Sequence, residues 1–236
     1  MSSFDRNKVK EILRPIVKSA YEAQRDADRE LHKNTIDVFS AVIESTIKGI
    51  SMEEWMIQEK QRQIQKTLQN KIGELHQGVL GTIDGINNLK TGNIVDLNAE
   101  EKGFIAEVKN KHNTTKGNHK KSIYEDLKAC LDKSSNEDLI GYYVEILPKN
   151  GKSYDEVFTP SDNVHKNRKQ TNERIRRIDG KSFYEKATGN PRAILELYQL
   201  LPVLTSEILE EEYGEKRNPS SYINMEEFER VYGKLN

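Results

Sequence analysis

Two short apolar runs, at residues 92–96 and 104–109, constrain the fold of this 236-residue chain most strongly. Each is four to six residues long and is bounded by turn-forming residues, which favours strands over helices. Side chains alternate along a strand, so Glu107 and Lys109 point to the same face. If the two runs pair across the connection 97–103, Asp96 meets them. The sequence therefore predicts two carboxylates and a lysine at one place on a sheet.

The remaining segments predict an α/β fold. Residues 1–83 carry apolar positions at helical spacing, and Ser51 with Glu54 has the spacing of a capping box. Residues 139–147 form a strongly apolar run that Pro148 ends, and shorter runs at 157–158 and 175–178 predict further strands. We expect a mixed central β-sheet flanked by helices, with a helical N-terminal region at 1–50 and the main domain at 51–236, in one compact unit.

Composition limits the classes of protein to consider. With 32% charged residues, a mean hydropathy of −0.81 and no long apolar run, the chain lacks a membrane span, and its first residues lack the features of a signal peptide. The cytoplasm is the expected compartment. The single cysteine, Cys130, excludes an internal disulfide and is expected to be a buried thiol.

The net charge is −1, but the charges are segregated. Residues 105–128 hold six lysines against three acids, and residues 163–186 hold eight basic residues against three acids. Residues 203–215 hold five glutamates and no basic residue. Basic surface of this kind suits phosphate contacts, although ordinary solvated faces would give the same pattern.

Carboxylates at strand ends supply the oxygen ligands that Mg²⁺ prefers, and a nearby lysine stabilises charge on a phosphate. This combination favours phosphodiester hydrolysis. An acid-x-Lys pattern is weak evidence by itself, because residues 100–102, 126–128 and 179–181 also match it. Only Glu107-Val108-Lys109 lies in an apolar strand that follows a second acid. A structural surface pair is the competing interpretation.

Asp96 together with Glu107-Val108-Lys109 resembles the catalytic signature of the PD-(D/E)XK nuclease superfamily, with Val95 in place of the proline that names it. Residues 107–114, the helix with Tyr124 and the strand 142–146 are similar to type II restriction endonucleases. The greatest similarity is to the branch that cuts GGNCC-type palindromes. The resemblance runs from about residue 51 to residue 209, which would make 51–236 a PD-(D/E)XK nuclease domain, whereas residues 1–50 match nothing.

The resemblance implies that Asp96, Glu107 and the Val108 carbonyl bind Mg²⁺ and that Lys109 positions the attacking water. It also implies a further glutamate from an upstream helix, for which Glu59 is the first choice and Glu74 the second. The partners would be double-stranded DNA and a second copy of the chain, with residues 1–50 forming the homodimer interface or covering the sheet. Candidates for DNA contacts lie in the two basic segments: Lys111, His112, Asn113, Thr114, Lys116, His119, Lys169, Arg174, Arg176 and Arg177.

Two other functions stay open at this point. One is a structure-specific or repair nuclease of the same superfamily. The other is a non-catalytic helical interaction protein, which would need neither Mg²⁺ nor Asp96.

Overall fold

The central element is a mixed β-sheet, seen in a computed structural model that describes residues 2–30, 35–89, 92–112, 117–162, 167–168 and 170–234. Within these ranges the sheet has six strands in the order β1-β2-β3-β4-β8-β5, and β6 and β7 form a separate hairpin. The pairs β3–β4 and β4–β8 are parallel, whereas β1–β2, β2–β3 and β5–β8 are antiparallel. The strands are β1 Asn87–Asn88, β2 Leu97–Ala99, β3 Phe104–Lys111, β4 Ile140–Leu147, β5 Asp155–Val157, β6 Ser161–Asp162, β7 Asn167–Arg168 and β8 Ile175–Asp179.

Helices cover both faces of the sheet, and the predicted α/β class with a helical N-terminal region is confirmed. The helices are α1 Arg6–Arg25, α2 Ala27–Glu30, α3 Val38–Lys48, α4 Met52–Leu80, α5 Gly117–Lys133, α6 Gly180–Thr188, α7 Ala193–Tyr213 and α8 Met225–Tyr232. The predicted capping box is present at the start of α4, where Ser51 and Glu54 each bond the other's backbone N–H.

The two faces of the sheet pack against different helices. Ala106 and Val108 of β3 lie in a large core with the C-terminal end of α4 and with residues of α1, α6, α7 and α8. Ile105 lies in a smaller core with Leu127 and other residues of α5. Because β3 alternates, Glu107 and Lys109 share the α5 face with Ile105. We call this side of the sheet the α5 face and the other side the α4 face.

The strand that precedes β3 lies later in the chain than predicted. Residues 92–96 form turns and bends, Ile94 is 48% exposed, and β2 occupies 97–99, inside the predicted connection. Burial alternates from Val95 to Ala99, but the residues paired in register with β3 start at Leu97, which is why the strand itself starts there. Asp96 is still in register, because its backbone N–H donates to the Ala106 carbonyl at 3.1 Å.

The acidic segment at 203–215 is the partner of α1. Lys10 contacts Glu207 and Glu211 at 3.0 and 2.6 Å, and Arg14 contacts Glu211 and Glu212 at 3.1 and 2.8 Å. Much of the charge segregation along the sequence is therefore neutralised between two packed helices. Among the described residues no helix is both long and apolar enough to cross a membrane.

Candidate active site

Asp96, Glu107 and Lys109 converge on the α5 face, as the sequence predicts. The Val108 N–H donates to Asp96 Oδ2 at 2.8 Å, which holds that carboxylate beside β3. Lys109 Nζ lies 2.5 Å from Glu107 Oε1 and 3.9 Å from Asp96 Oδ2. The three side chains are 16–24% exposed, so they are accessible to a substrate but shielded from bulk water. The pairing of Leu97 with Ala106 brings Asp96 opposite Glu107 and so creates this arrangement.

The site concentrates negative charge. Burial and the neighbouring charge of Asp96 raise the pKa of Glu107, while Lys109 opposes that effect. Two carboxylates that share a site resist simultaneous ionisation, and a bound cation would relieve this repulsion. The electrostatics therefore favour a cation between Asp96 and Glu107.

The two carboxylates of Asp96 and Glu107 are oxygen donors of the kind that suits Mg²⁺. No group of three or more His, Cys, Asp or Glu side chains with metal-binding geometry occurs in the described ranges. Mg²⁺ commonly uses one or two carboxylates and completes its shell with waters and substrate phosphates. Asp96 and Glu107 would hold such an ion, and the Val108 carbonyl stays a predicted further ligand.

Glu59 is not brought together with these residues. Its carboxylate accepts hydrogen bonds from Arg62 Nε at 2.7 Å and from Gln63 Nε2 at 2.9 Å. The part of α4 that is buried against the sheet begins near Leu75, roughly 24 Å further along the helix at 1.5 Å per residue. That part covers the α4 face, whereas Glu107 lies on the α5 face. The expectation that Glu59 joins the two carboxylates is therefore not met within one chain.

Glu74, the second choice, also makes no contact with the site in the described part of the chain. It is exposed, with its side chain 70% accessible, and it lies 3.7 Å from Lys71 of the same helix. Neither upstream glutamate supplies a third carboxylate, because their helix packs against the other side of the sheet.

The first basic segment continues β3 beyond the catalytic residues. Lys111 ends β3 and pairs in register with Leu147, and the His112 N–H donates to the Leu147 carbonyl at 3.3 Å. His119 is exposed in the first turn of α5. These residues lie on the strand of the candidate site or on the helix that covers its face. The DNA-contact candidates Asn113, Thr114, Lys116 and Lys169 lie outside the described residues.

The three arginines predicted to contact DNA lie in different places around strand β8. Arg177 pairs in register with Tyr143 and shares the α5 face, whereas Arg176 lies on the α4 face and bonds Asp155 at 2.6 Å. Arg174 precedes β8 at the opposite end of the sheet and donates to the Glu137 carbonyl at 3.2 Å. Of the three, only Arg177 shares a face with Glu107 and Lys109. The structure therefore does not bring Arg174 and Arg176 together with the candidate site.

A cluster of charged residues beside the site was not predicted from the sequence. Glu145 of β4 pairs in register with Lys109 and is only 1% exposed. Its Oε2 accepts a hydrogen bond from the Tyr154 hydroxyl at 2.6 Å, and Lys120 and Arg177 lie 3.6 and 3.8 Å from the carboxylate. The detectable signal was a glutamate inside an otherwise apolar strand, since buried charges are rare unless they are paired.

Comparisons of the sequence with known proteins give matches to restriction endonucleases. A sequence model of the Eco47II restriction endonuclease family matches residues 1–210. The match includes residues 1–50, for which the sequence motifs gave no resemblance. The type II restriction enzyme Eco47II of Escherichia coli is 39% identical over 193 residues, covering 80% of this chain and 80% of the relative. The type II restriction enzyme Sau96I of Staphylococcus aureus is 31% identical over 189 residues, covering 78% and 71%.

Proposed function

The chain belongs to the Eco47II restriction endonuclease family, and from this premise we propose that it uses Mg²⁺ to cleave both strands of double-stranded DNA at a short, G/C-rich palindrome. It would act in the cytoplasm, where its substrate is found. The observation that carries the proposal is the convergence of Asp96, Glu107 and Lys109 on one accessible face. Neither a repair nuclease nor a non-catalytic protein has comparable support, because the relatives are named type II restriction enzymes.

Each of the three residues has a distinct task in this proposal. Asp96 and Glu107 would hold Mg²⁺, which when bound supplies Lewis acidity toward the phosphate. The ammonium group of Lys109 would orient a water molecule for in-line attack and stabilise negative charge that develops on the phosphate oxygens. The water oxygen forms a bond to phosphorus as the bond between phosphorus and the 3′ oxygen breaks. The product strand would then carry a 5′-phosphate.

The decisive experiment is digestion of a plasmid of known sequence with and without Mg²⁺, followed by run-off sequencing of the ends. We expect discrete fragments that share one short sequence at every end. Cleavage confined to branched or damaged DNA would favour the repair nuclease, and absence of Mg²⁺-dependent cleavage would favour the non-catalytic protein.

Lys109→Ala tests the assignment of residues. We expect it to abolish cleavage and to leave binding of the target sequence largely intact. Lys128→Ala is a matched control, because Lys128 also belongs to an acid-x-Lys triplet but lies on α5 and pairs with Asp132. Full cleavage by Lys109→Ala would refute the catalytic assignment.

A palindromic target requires two-fold symmetry, so the proposal includes a homodimer. The outer side of α3 supports this part of it. Ala41 and Ser45 are buried where α3 packs on α4, and Trp55 Nε1 donates to Glu44 at 2.8 Å across the same contact. The rest of α3 carries large apolar side chains that are 54–81% exposed, with Phe39, Ile43 and Ile47 opposite the buried stripe and Val38 and Val42 beside it. We call these five residues the α3 patch.

Contiguous exposed apolar surface of this extent usually marks an interface. The exposed fractions of the five residues in the α3 patch add up to about three fully exposed side chains. Burying one such side chain contributes about 1.5–3 kcal/mol. Two copies of the patch would contribute about 10–20 kcal/mol, against an association cost of about 4–15 kcal/mol. The middle of the first range exceeds the middle of the second, which supports the α3 patch of a second copy as the partner.

A further inference from the structure

Glu145 is a carboxylate buried inside the sheet that the proposed cleavage chemistry does not use. It is 1% exposed and pairs in parallel register with Lys109, so it points to the same face as the catalytic residues. An ionised carboxylate at such a position is costly, and an apolar side chain would fill the strand at a lower cost. Ion pairs with neighbouring cations would offset that cost.

The hydrogen bonds and ion pairs of Glu145 offset only part of the cost of burying its carboxylate. The Tyr154 hydroxyl donates to Oε2 at 2.6 Å, but Oε1 accepts no hydrogen bond from any described residue. Lys120 Nζ and Arg177 Nη1 lie 3.6 and 3.8 Å away, which is an ion-pair separation and longer than a hydrogen bond. The next strand offers a contrast, since Asp179 is equally buried but accepts from Ser182 and Tyr154 as the cap of α6.

The two cations are fixed in position yet accessible. Lys120 is 27% exposed and lies over the ring of Tyr143, and Arg177 is 34% exposed and lies over the ring of Tyr154. No hydrogen bond from Lys120 Nζ is found within the described ranges. Both residues line one pocket with Lys149 and His112. Three lysine and arginine charges there face only two glutamates, Glu145 and Glu156, so the pocket carries net positive charge.

We propose that Lys120 and Arg177 bind a backbone phosphate of the DNA next to the cleavage site, and that Glu145 is the positioning residue that holds Lys120 and, together with Glu156, which pairs with the other terminal nitrogen of Arg177, also Arg177. The identity of the ligand as DNA rests on the proposed function. Neighbouring strands are about 4.8 Å apart, so Arg177 lies roughly 10 Å across the sheet from Glu107. One DNA strand that crosses the α5 face reaches both places. Cations held in advance by a buried anion bind a phosphate without reorganising.

The test measures the affinity for a duplex oligonucleotide by fluorescence anisotropy, in the presence of EDTA and at a range of salt concentrations. Log affinity falls linearly with log salt, and each lost phosphate contact reduces the magnitude of that slope by about one. We expect that decrease for Lys120→Ala, for Arg177→Ala and for Glu145→Gln, on specific and non-specific duplexes alike. Gln keeps an acceptor for the Tyr154 hydroxyl but lacks the charge that holds the cations. Lys120→Arg should retain the wild-type slope.

Arg176→Ala is the matched control, because Arg176 is the sequence neighbour of Arg177 but faces the other side of the sheet. It should leave affinity and slope unchanged. Equal weakening by Arg176→Ala and Arg177→Ala, or a wild-type slope for Glu145→Gln, would overturn the inference. If Glu145→Gln fails to fold by circular dichroism, the two cation variants decide the question.

The failure of this inference is distinguishable from failure of the proposed function. Wild-type protein that binds duplex DNA with the expected salt slopes but never cleaves it with Mg²⁺ would refute the cleavage proposal and leave the phosphate site standing. Cleavage at discrete sites with unchanged slopes in all three variants would refute the phosphate site alone.

Discussion

Replacing Ile43 with Glu in the α3 patch should dissociate the proposed dimer without unfolding the protein. Ile43 is 62% exposed and lies on the side of α3 away from α4, so the packing of α3 through Ala41 and Ser45 is not disturbed. A charged side chain at an exposed helical position costs the monomer little. In a two-fold symmetric interface the same substitution occurs twice.

The exposed fraction of Ile43 sets the size of the effect. Burying a whole isoleucine side chain contributes about 1.5–3 kcal/mol, so the 62% that a partner could cover contributes about 1–2 kcal/mol per copy. The two copies together lose about 2–4 kcal/mol, and each 1.4 kcal/mol is tenfold in affinity. The dimer dissociation constant should rise by about 30- to 700-fold, and desolvation of two carboxylates adds to this.

Sedimentation velocity over a range of protein concentrations, without DNA, measures the dissociation constant directly. Tyr222→Glu is the control, since Tyr222 has a similar exposure of 58% but lies near the C-terminus, outside the α3 patch. We expect wild-type protein and Tyr222→Glu to be dimers and Ile43→Glu to be a monomer that keeps the folded circular dichroism spectrum. A monomeric wild type, or an Ile43→Glu protein that dimerises as tightly as wild type, would refute the reasoning.

Three further predictions follow from local geometry. Burial and the Asp96 charge raise the pKa of Glu107. Asp96→Asn should therefore lower the pKa of the Glu107 carboxyl, measured by ¹³C NMR in the absence of metal. An unchanged pKa would contradict the coupling between the two carboxylates. Burial lowers the pKa of His76 from 6.5 to about 4. The contribution of the neutral His76 side chain to the free energy of unfolding is therefore complete above pH 6.5 and is lost as the pH falls toward 4. Denaturant unfolding should show a loss of about 2 kcal/mol between pH 7.5 and pH 5 that His76→Gln removes, and an equal loss in that variant would contradict the assignment. A Cβ at Gly180 would overlap a backbone carbonyl of β4, whereas one at Gly73 would meet open space. Gly180→Ala should therefore lower the free energy of unfolding in the same assay by about 1–3 kcal/mol. Gly73→Ala should raise it by up to about 1 kcal/mol. Similar effects of the two substitutions would show that the chain relieves the overlap at Gly180.

Local rules account for what could be predicted about the site. The alternation of side chains along a strand is a property of the backbone, so it places Glu107 and Lys109 on one face once residues 104–109 form a strand. The capping box at Ser51 and the helical spacing of the first third are local in the same sense, and the structure confirms both. These signals depend on residues only a few positions apart.

The register of the preceding strand was less predictable. The sequence indicated a strand at 92–96, but β2 begins at Leu97, because burial against α4 and β3 favours Leu97 and Ala99 over Ile94. Asp96 nonetheless meets Glu107, since the antiparallel pairing extends one residue beyond β2.

Sequence patterns alone were enough for the α/β class, for the strand that carries Glu107 and Lys109, and for the resemblance to restriction endonucleases. Which distant residues share that face became known from the folded chain. The fold put Glu59 on a helix behind the sheet, separated Arg176 from Arg177, and set Glu145 beside Lys109. The reason is that strand order and helix placement depend on packing between segments far apart in the chain, where spacing along the sequence carries no information about proximity.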